Sequence, residues 1–137
     1  MGNGIFSTQN IISTEGDFVR TVFAADLDGD NDMDVIAGSA FDDKVAWYEN
    51  MGDGTFSTQN IITVEANSTS SVYATDLDGD GDIDVLSASA SDDKIAWYEN
   101  MGGGIFGAQN IISNSMDANA ASAVYTADLD GDGDMDV

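Results

Sequence analysis

The chain repeats itself, and this constrains its fold more than any single residue does. Met1-Gly2-Asn3-Gly4-Ile5-Phe6-Ser7-Thr8-Gln9-Asn10-Ile11-Ile12 returns over Met51–Ile62 and, with small changes, over Met101–Ile112. The first two units agree at about 30 positions of a period of about 50. One repeat region therefore runs over 1–137, with repeat 1 at 1–50, repeat 2 at 51–100 and a truncated repeat 3 at 101–137. A unit of this length cannot bury its apolar faces alone, so stacked neighbours must share a core. Periods of about 40 to 50 with four strand signals in each predict an all-β fold of β-propeller blades, each of four antiparallel strands.

Within one unit the strands can be placed. Val72–Thr75 reads as the first and Val85–Ser89 as the second, both short and rich in β-branched or small residues. Ser91-Asp92-Asp93 reads as a turn, since Asp bonds its own backbone there. Lys44 and Lys94 follow paired aspartates at this turn, which predicts local ion pairs. The third strand, Lys94–Glu99, alternates Ile95 and Trp97 with Ala96 and Tyr98. Both of its faces are apolar, as in a sheet covered on both sides. Asn100–Gly104 is a glycine-rich turn and Phe106–Ile112 the fourth strand. The segments Thr14–Arg20, Val64–Ser70 and Ser113–Ala121 vary most and read as surface connections.

Between the first and second strands lies an acidic loop of nine residues, present three times. Its carboxylates stand at alternate positions: Asp26, Asp28, Asp30, Asp32 and Asp34; Asp76, Asp78, Asp80, Asp82 and Asp84; Asp128, Asp130, Asp132, Asp134 and Asp136. So many like charges repel one another, and a hard divalent cation removes that penalty. Ca²⁺ takes six to eight oxygens in flexible geometry, which suits such a loop. Positions 1, 3 and 5 offer side-chain oxygens, position 7 a backbone carbonyl or a carboxylate, and position 9 closes the site. Position 6 is Gly81 or Gly133, free to turn sharply, and Asn31 in the first copy. An EF-hand needs Glu at position 12 and flanking helices. Position 12 here is Ala37 or Ser87, and the flanks read as strands. A solvated acidic turn without metal does not account for threefold recurrence in one register.

Composition narrows the partners. The net charge is −23, with only Arg20, Lys44 and Lys94 as cations, which argues against nucleic acid and anionic membrane. Hydrophobic residues make up 42%, enough for a core despite the charge. The absence of Cys removes disulfides and thiolate metal sites. The absence of His removes the commonest general base. No apolar run approaches the roughly 18 residues of a membrane span, and Met1–Phe6 does not read as a secretory leader.

A strand, the acidic loop, a strand and then Trp97-Tyr98-Glu99-Asn100-Met101-Gly102-Gly103-Gly104-Ile105-Phe106 together resemble the FG-GAP/VCBS-like repeat family of calcium-binding β-propellers. Similar blades occur in integrin α-subunit heads, some fungal lectins and secreted bacterial adhesion proteins. The resemblance implies Ca²⁺ in each loop, held by Asp26, Asp28, Asp30 and Asp34, by Asp76, Asp78, Asp80 and Asp84, and by Asp128, Asp130, Asp132 and Asp136. It also implies a non-catalytic binding or adhesion scaffold, lectin-like in one version, with a carbohydrate or protein ligand. The implied location is extracellular or cell-surface, of bacterial type, where calcium is abundant. Trp47, Tyr48, Trp97 and Tyr98 are candidate sugar-stacking residues, against their reading as core between blades.

Propellers close with four to eight blades, and this chain has fewer than three. The expectation is self-association into a closed ring, or membership of a longer array. The alternative function is a carboxylate-dependent glycoside hydrolase or lyase of propeller fold. Glu49 and Glu99 are the acids outside the loops that such chemistry would draw on. Their recurrence in each unit suits a structural role better than a unique active site.

Overall fold

A computed structural model of the chain describes residues 8–114 and 120–137. The first copy of the glycine hairpin, Met1–Phe6, lies outside the described residues, as does the middle of the third connection. Two four-stranded antiparallel sheets form. The first takes β1 (Val19–Ala25), β2 (Asp34–Ser39), β3 (Lys44–Tyr48) and β4 (Asn60–Thr63), in the order β1-β2-β3-β4. The second takes β5 (Thr69–Thr75), β6 (Asp84–Ser89), β7 (Lys94–Tyr98) and β8 (Asn110–Ser113), in the same serial order. Among the described residues there is no helix. The fold is all-β, with two propeller-like blades whose registers repeat: Ile36 pairs with Trp47, and Leu86 with Trp97.

Alternation along each strand feeds two cores. Leu27, Ile36, Val45 and Trp47 of the first sheet meet Val72, Ala74, Val85, Ala96 and Tyr98 of the second. On the far face of the second sheet, Leu86 and Ala88 pack with Val124, joined by Tyr73, Leu77, Ile95 and Ala121. Trp47, Tyr48 and Tyr98 are buried, which makes them core rather than stacking platforms, while Trp97 is half-buried. Burying such aromatics stabilises by about 1.5–3 kcal/mol each. Each tyrosine hydroxyl is satisfied, taking the amide of Gln59 at 3.0 Å or of Gln109 at 2.8 Å. At the β2–β3 and β6–β7 turns, Lys44 pairs with Asp42 at 2.8 Å and Lys94 with Asp92 at 2.9 Å.

Several strand ends differ from the sequence expectation; β1 begins at Val19, inside the connection read over Thr14–Arg20. β5 begins at Thr69, inside the stretch read as a surface connection. Ser68 takes a φ of 56° and the pairing shifts register between Thr69 and Ser71, so a bulge starts the strand. Thr69 is fully buried, its hydroxyl donating to the Ala66 carbonyl at 2.9 Å. A short Ser/Thr run gives no hydrophobic signal of such a strand. The fourth strand is shorter than Phe106–Ile112. Phe106 forms only an isolated bridge with Asn100, and β8 starts at Asn110.

The acidic loops all lie at one end of the sheets, where β1 turns into β2 and β5 into β6. The third loop is bounded by a single bridge between Ala127 and Asp136.

Candidate metal centre

Each loop folds on its own side chains. The first aspartate accepts two backbone N–H groups: Asp26 takes Gly29 at 2.9 Å and Asn31 at 3.0 Å, and Asp76 takes Gly79 at 2.8 Å and Gly81 at 3.1 Å. Position 3 accepts the N–H of position 5, as Asp28 does from Asp30 and Asp78 from Asp80, both at 3.2 Å. Position 5 accepts that of position 7, Asp30 from Asp32 at 2.8 Å and Asp80 from Asp82 at 2.9 Å. The third loop repeats the set from Asp128 to Asp134. Such tight turning requires positive φ at position 6, which Asn31 adopts at 73° and Gly81 at 99°. Asn tolerates this region better than other side chains.

Position 9 ties the loop to the sheet. Asp34 accepts the Leu27 N–H at 2.9 Å with one oxygen and the Asn50 N–H at 2.8 Å with the other. Asp84 does the same with Leu77 at 3.1 Å and Asn100 at 2.7 Å. Both carboxylates are wholly buried. Asp136 accepts Leu129 N–H at 2.9 Å and is exposed.

These contacts bring together one carboxylate oxygen each from positions 1, 3 and 9. In Asp26, Asp28 and Asp34, in Asp76, Asp78 and Asp84, and in Asp128, Asp130 and Asp136, these oxygens lie within 4.8 Å of one another. Asp30, Asp80 and Asp132 at position 5, and Asp32, Asp82 and Asp134 at position 7, stand outside these triplets.

The electrostatics are those of crowded anions. Burial pushes the Asp84 carboxyl above the usual carboxylate range, and the Asp78 charge adds to this; the N–H groups of Asn100 and Leu77 oppose it. Burial also raises Asp28, helped by the charges of Asp34, Asp30 and Glu49 and opposed by the Asp30 N–H. An oxygen-only donor set of converging carboxylates suits a hard cation.

The asparagine after the third strand was not singled out as part of this site in the sequence. Its signal is its fixed place sixteen residues after position 9, as Asn50 follows Asp34 and Asn100 follows Asp84. The Asn100 amide donates to the Ile83 carbonyl at 3.0 Å and to the Leu27 carbonyl of the preceding loop at 2.8 Å. Asn100 thus links the two loops.

The model of the FG-GAP-like repeat family matches residues 36–87 and 76–137, well over half of the chain. No curated protein matches the chain at a significant level.

Proposed function

The chain belongs to the FG-GAP-like repeat family, and from that premise we propose that it is a calcium-binding propeller-blade protein, with Ca²⁺ structural in each acidic loop. The convergence of three carboxylate oxygens within 4.8 Å, at the same three positions of every loop, carries this reading. Asp26, Asp28 and Asp34, Asp76, Asp78 and Asp84, and Asp128, Asp130 and Asp136 would hold the ion. Asp30, Asp80 and Asp132 would complete the shell, with the residues at position 7. The cation would offset the burial and the crowding of charge that lift Asp28 and Asp84, and so couple ion binding to folding.

With the metal structural, the protein acts as a non-catalytic binding or adhesion scaffold outside the cell or on its surface. Further sheets, from a longer array or from other chains, would cover the outer faces and close the ring. A carbohydrate or protein ligand would bind at a ring face, since Trp47, Tyr48 and Tyr98 are taken up by the core.

Thermal unfolding with light scattering, in excess EDTA and in millimolar calcium, tests this reading. Calcium should raise the midpoint by several degrees and leave magnesium a poor substitute. Equal stability in EDTA would remove the metal assignment from all three loops. A glycan array with product analysis tests the scaffold role, and turnover abolished by Glu99→Gln would overturn it.

A further inference from the structure

The outer face of the first sheet presents the same positions that the second sheet buries. Val72, Ala74, Val85, Ala96 and Tyr98 lie against the first sheet. Their counterparts one repeat earlier are Val22, Ala24, Val35, Ala46 and Tyr48; Val22 is 64% exposed where Val72 is 4% exposed, Ala24 is exposed and Val35 half-buried, while Ala46 and Tyr48 at the β3 side are already buried. Other contacts of the covered face are also awaited here. Gly104 sits so close under the Trp47 ring that a Cβ would lie 2.4 Å from it, whereas its counterpart Gly54 has nothing within 4 Å. Asn100 donates across to the Leu27 carbonyl at 2.8 Å, whereas Asn50 donates to Met33 of its own sheet.

The contacts between sheets also follow a steric rule. A Cβ on Gly38 would meet the methyl of Thr69 at 2.5 Å, in the next sheet, and that of Thr21 at 2.7 Å, in its own. One repeat later Ala88 stands in the glycine's place. There Ser71 replaces Thr21 and Ala121 replaces Thr69, and Ala121 packs on the cluster containing Ala88. One methyl added to the floor is matched by two removed above it. The equivalence is anchored by a repeated bond: the Thr21 hydroxyl accepts Val72 N–H at 3.3 Å, and the Ser71 hydroxyl accepts Val124 N–H at 3.4 Å. The counterpart of Thr69 on the open face is Val19, as bulky as threonine and 47% exposed.

We infer that the open face of the first sheet is a socket for another sheet of this same repeat, restricted to one with glycine at the position of Gly38. This rests on the stacked-blade reading above and names the neighbour it requires. The second sheet's own far face carries Ala88 and is partly covered by Ala121 and Val124. A second copy of the chain offering that face is therefore a poor fit, and a sheet of the first kind a good one.

Tandem duplication of residues 1–50 ahead of residue 1 supplies such a sheet in register. The unfolding midpoint in calcium should rise by about 5–10 °C, and amide exchange at Val22 and Ala24 should slow at least about tenfold. Thr21→Ser with Gly38→Ala, in the added copy alone, should forfeit most of the gain, and Val19→Ala in the original sheet should restore it. Full gain with alanine at the floor overturns the glycine requirement. No protection at Val22 in a chain that calcium still stabilises overturns the socket while leaving the metal reading intact. The parent chain provides a second arm should the duplicated one not fold. Gly38→Ala should lower its midpoint, and Thr21→Ser with Thr69→Ser, which removes both methyls and keeps both hydroxyls, should recover it; failure of that rescue defeats the rule at the interface where it is seen.

Discussion

The second and third acidic loops differ in one residue of nine, Ile83 against Met135. Their internal bonds match: Asp76 holds Gly79 and Gly81 at 2.8 and 3.1 Å, and Asp128 holds Gly131 and Gly133 at 2.6 and 3.1 Å. Yet Asp84 is wholly buried and Asp136 is exposed. What differs is the surroundings. Asp84 is capped by the Asn100 N–H, and Asn100 reaches Leu27 in the neighbouring sheet. The loop geometry is therefore local, written in aspartate-to-backbone bonds. Burial comes from the sheets on either side. A carboxylate triplet of the same shape is integral to the core in one case and a surface turn in the other.

The sharpest way to break this comparison is to truncate position 9 in each loop. Asp84→Ala leaves the Leu77 and Asn100 N–H groups without their acceptor in the interior. It should destabilise by about 3–5 kcal/mol. Asp136→Ala should stay within about 1 kcal/mol. Denaturant unfolding of the metal-free protein checks both. Equal losses would mean that the loops act alike whatever surrounds them.

The asparagines extend the same contrast. Asn100→Ala removes buried bonds to Ile83 and Leu27 and should cost about 2–3 kcal/mol. Asn50→Ala removes the bond to Met33 on an uncovered face and should cost about 1 kcal/mol. Chemical denaturation of the two variants side by side measures the difference, which is the share due to contact between sheets.

This contrast also marks what was legible in the sequence. The strands around each loop could be read from β-branched runs, and the two-faced third strand from Ile95, Ala96, Trp97 and Tyr98. Both are local patterns. Thr69 as a buried strand residue was not legible, because its burial depends on Gly38 of another sheet. The role of Asn100 was hidden for the same reason, its partner Leu27 lying 73 residues away. In the loops, the sequence offered positions 1, 3, 5 and 9 as side-chain ligands and position 7 through its backbone or carboxylate, whereas only positions 1, 3 and 9 converge. Which of them converge depends on how positions 3 and 5 bond forward along the backbone, and composition carries no trace of that.

A third test turns on pH. Asp84 and Asp28 have raised pKa values in the metal-free fold. A carboxyl raised on folding contributes stability below its unfolded pKa, and loses it as pH rises through the folded value. In the metal-free protein these two groups should therefore add stability as pH falls through their raised folded values toward the ordinary carboxylate range near about 4. Asp42 contributes the opposite, its carboxyl being held low, against burial, by Lys44 and Ser39. With calcium the slope should reverse over that window, since protonation expels the ion. Asp84→Asn should flatten the metal-free slope. Thermal unfolding across this pH range reads both.

The smallest effect separates the first loop from the second. Asn31 stands where the second loop has Gly81, and both adopt positive φ. Asn is strained less there than other side chains but more than glycine. Asn31→Gly relieves that strain, yet it also frees the unfolded chain, and the two effects oppose each other. The net change should be within about 0.5 kcal/mol. Gly81→Ala has no such offset, because alanine at a φ of 99° is strained in the fold, and it should cost about 1–2 kcal/mol. If the first loop is built like the second, Asn31→Gly should also leave its calcium affinity within about twofold. A tenfold change, measured by titration calorimetry, would show that the asparagine side chain takes part in the site. The first loop would then differ in chemistry from the second, and the comparison between loops would have to be drawn there instead.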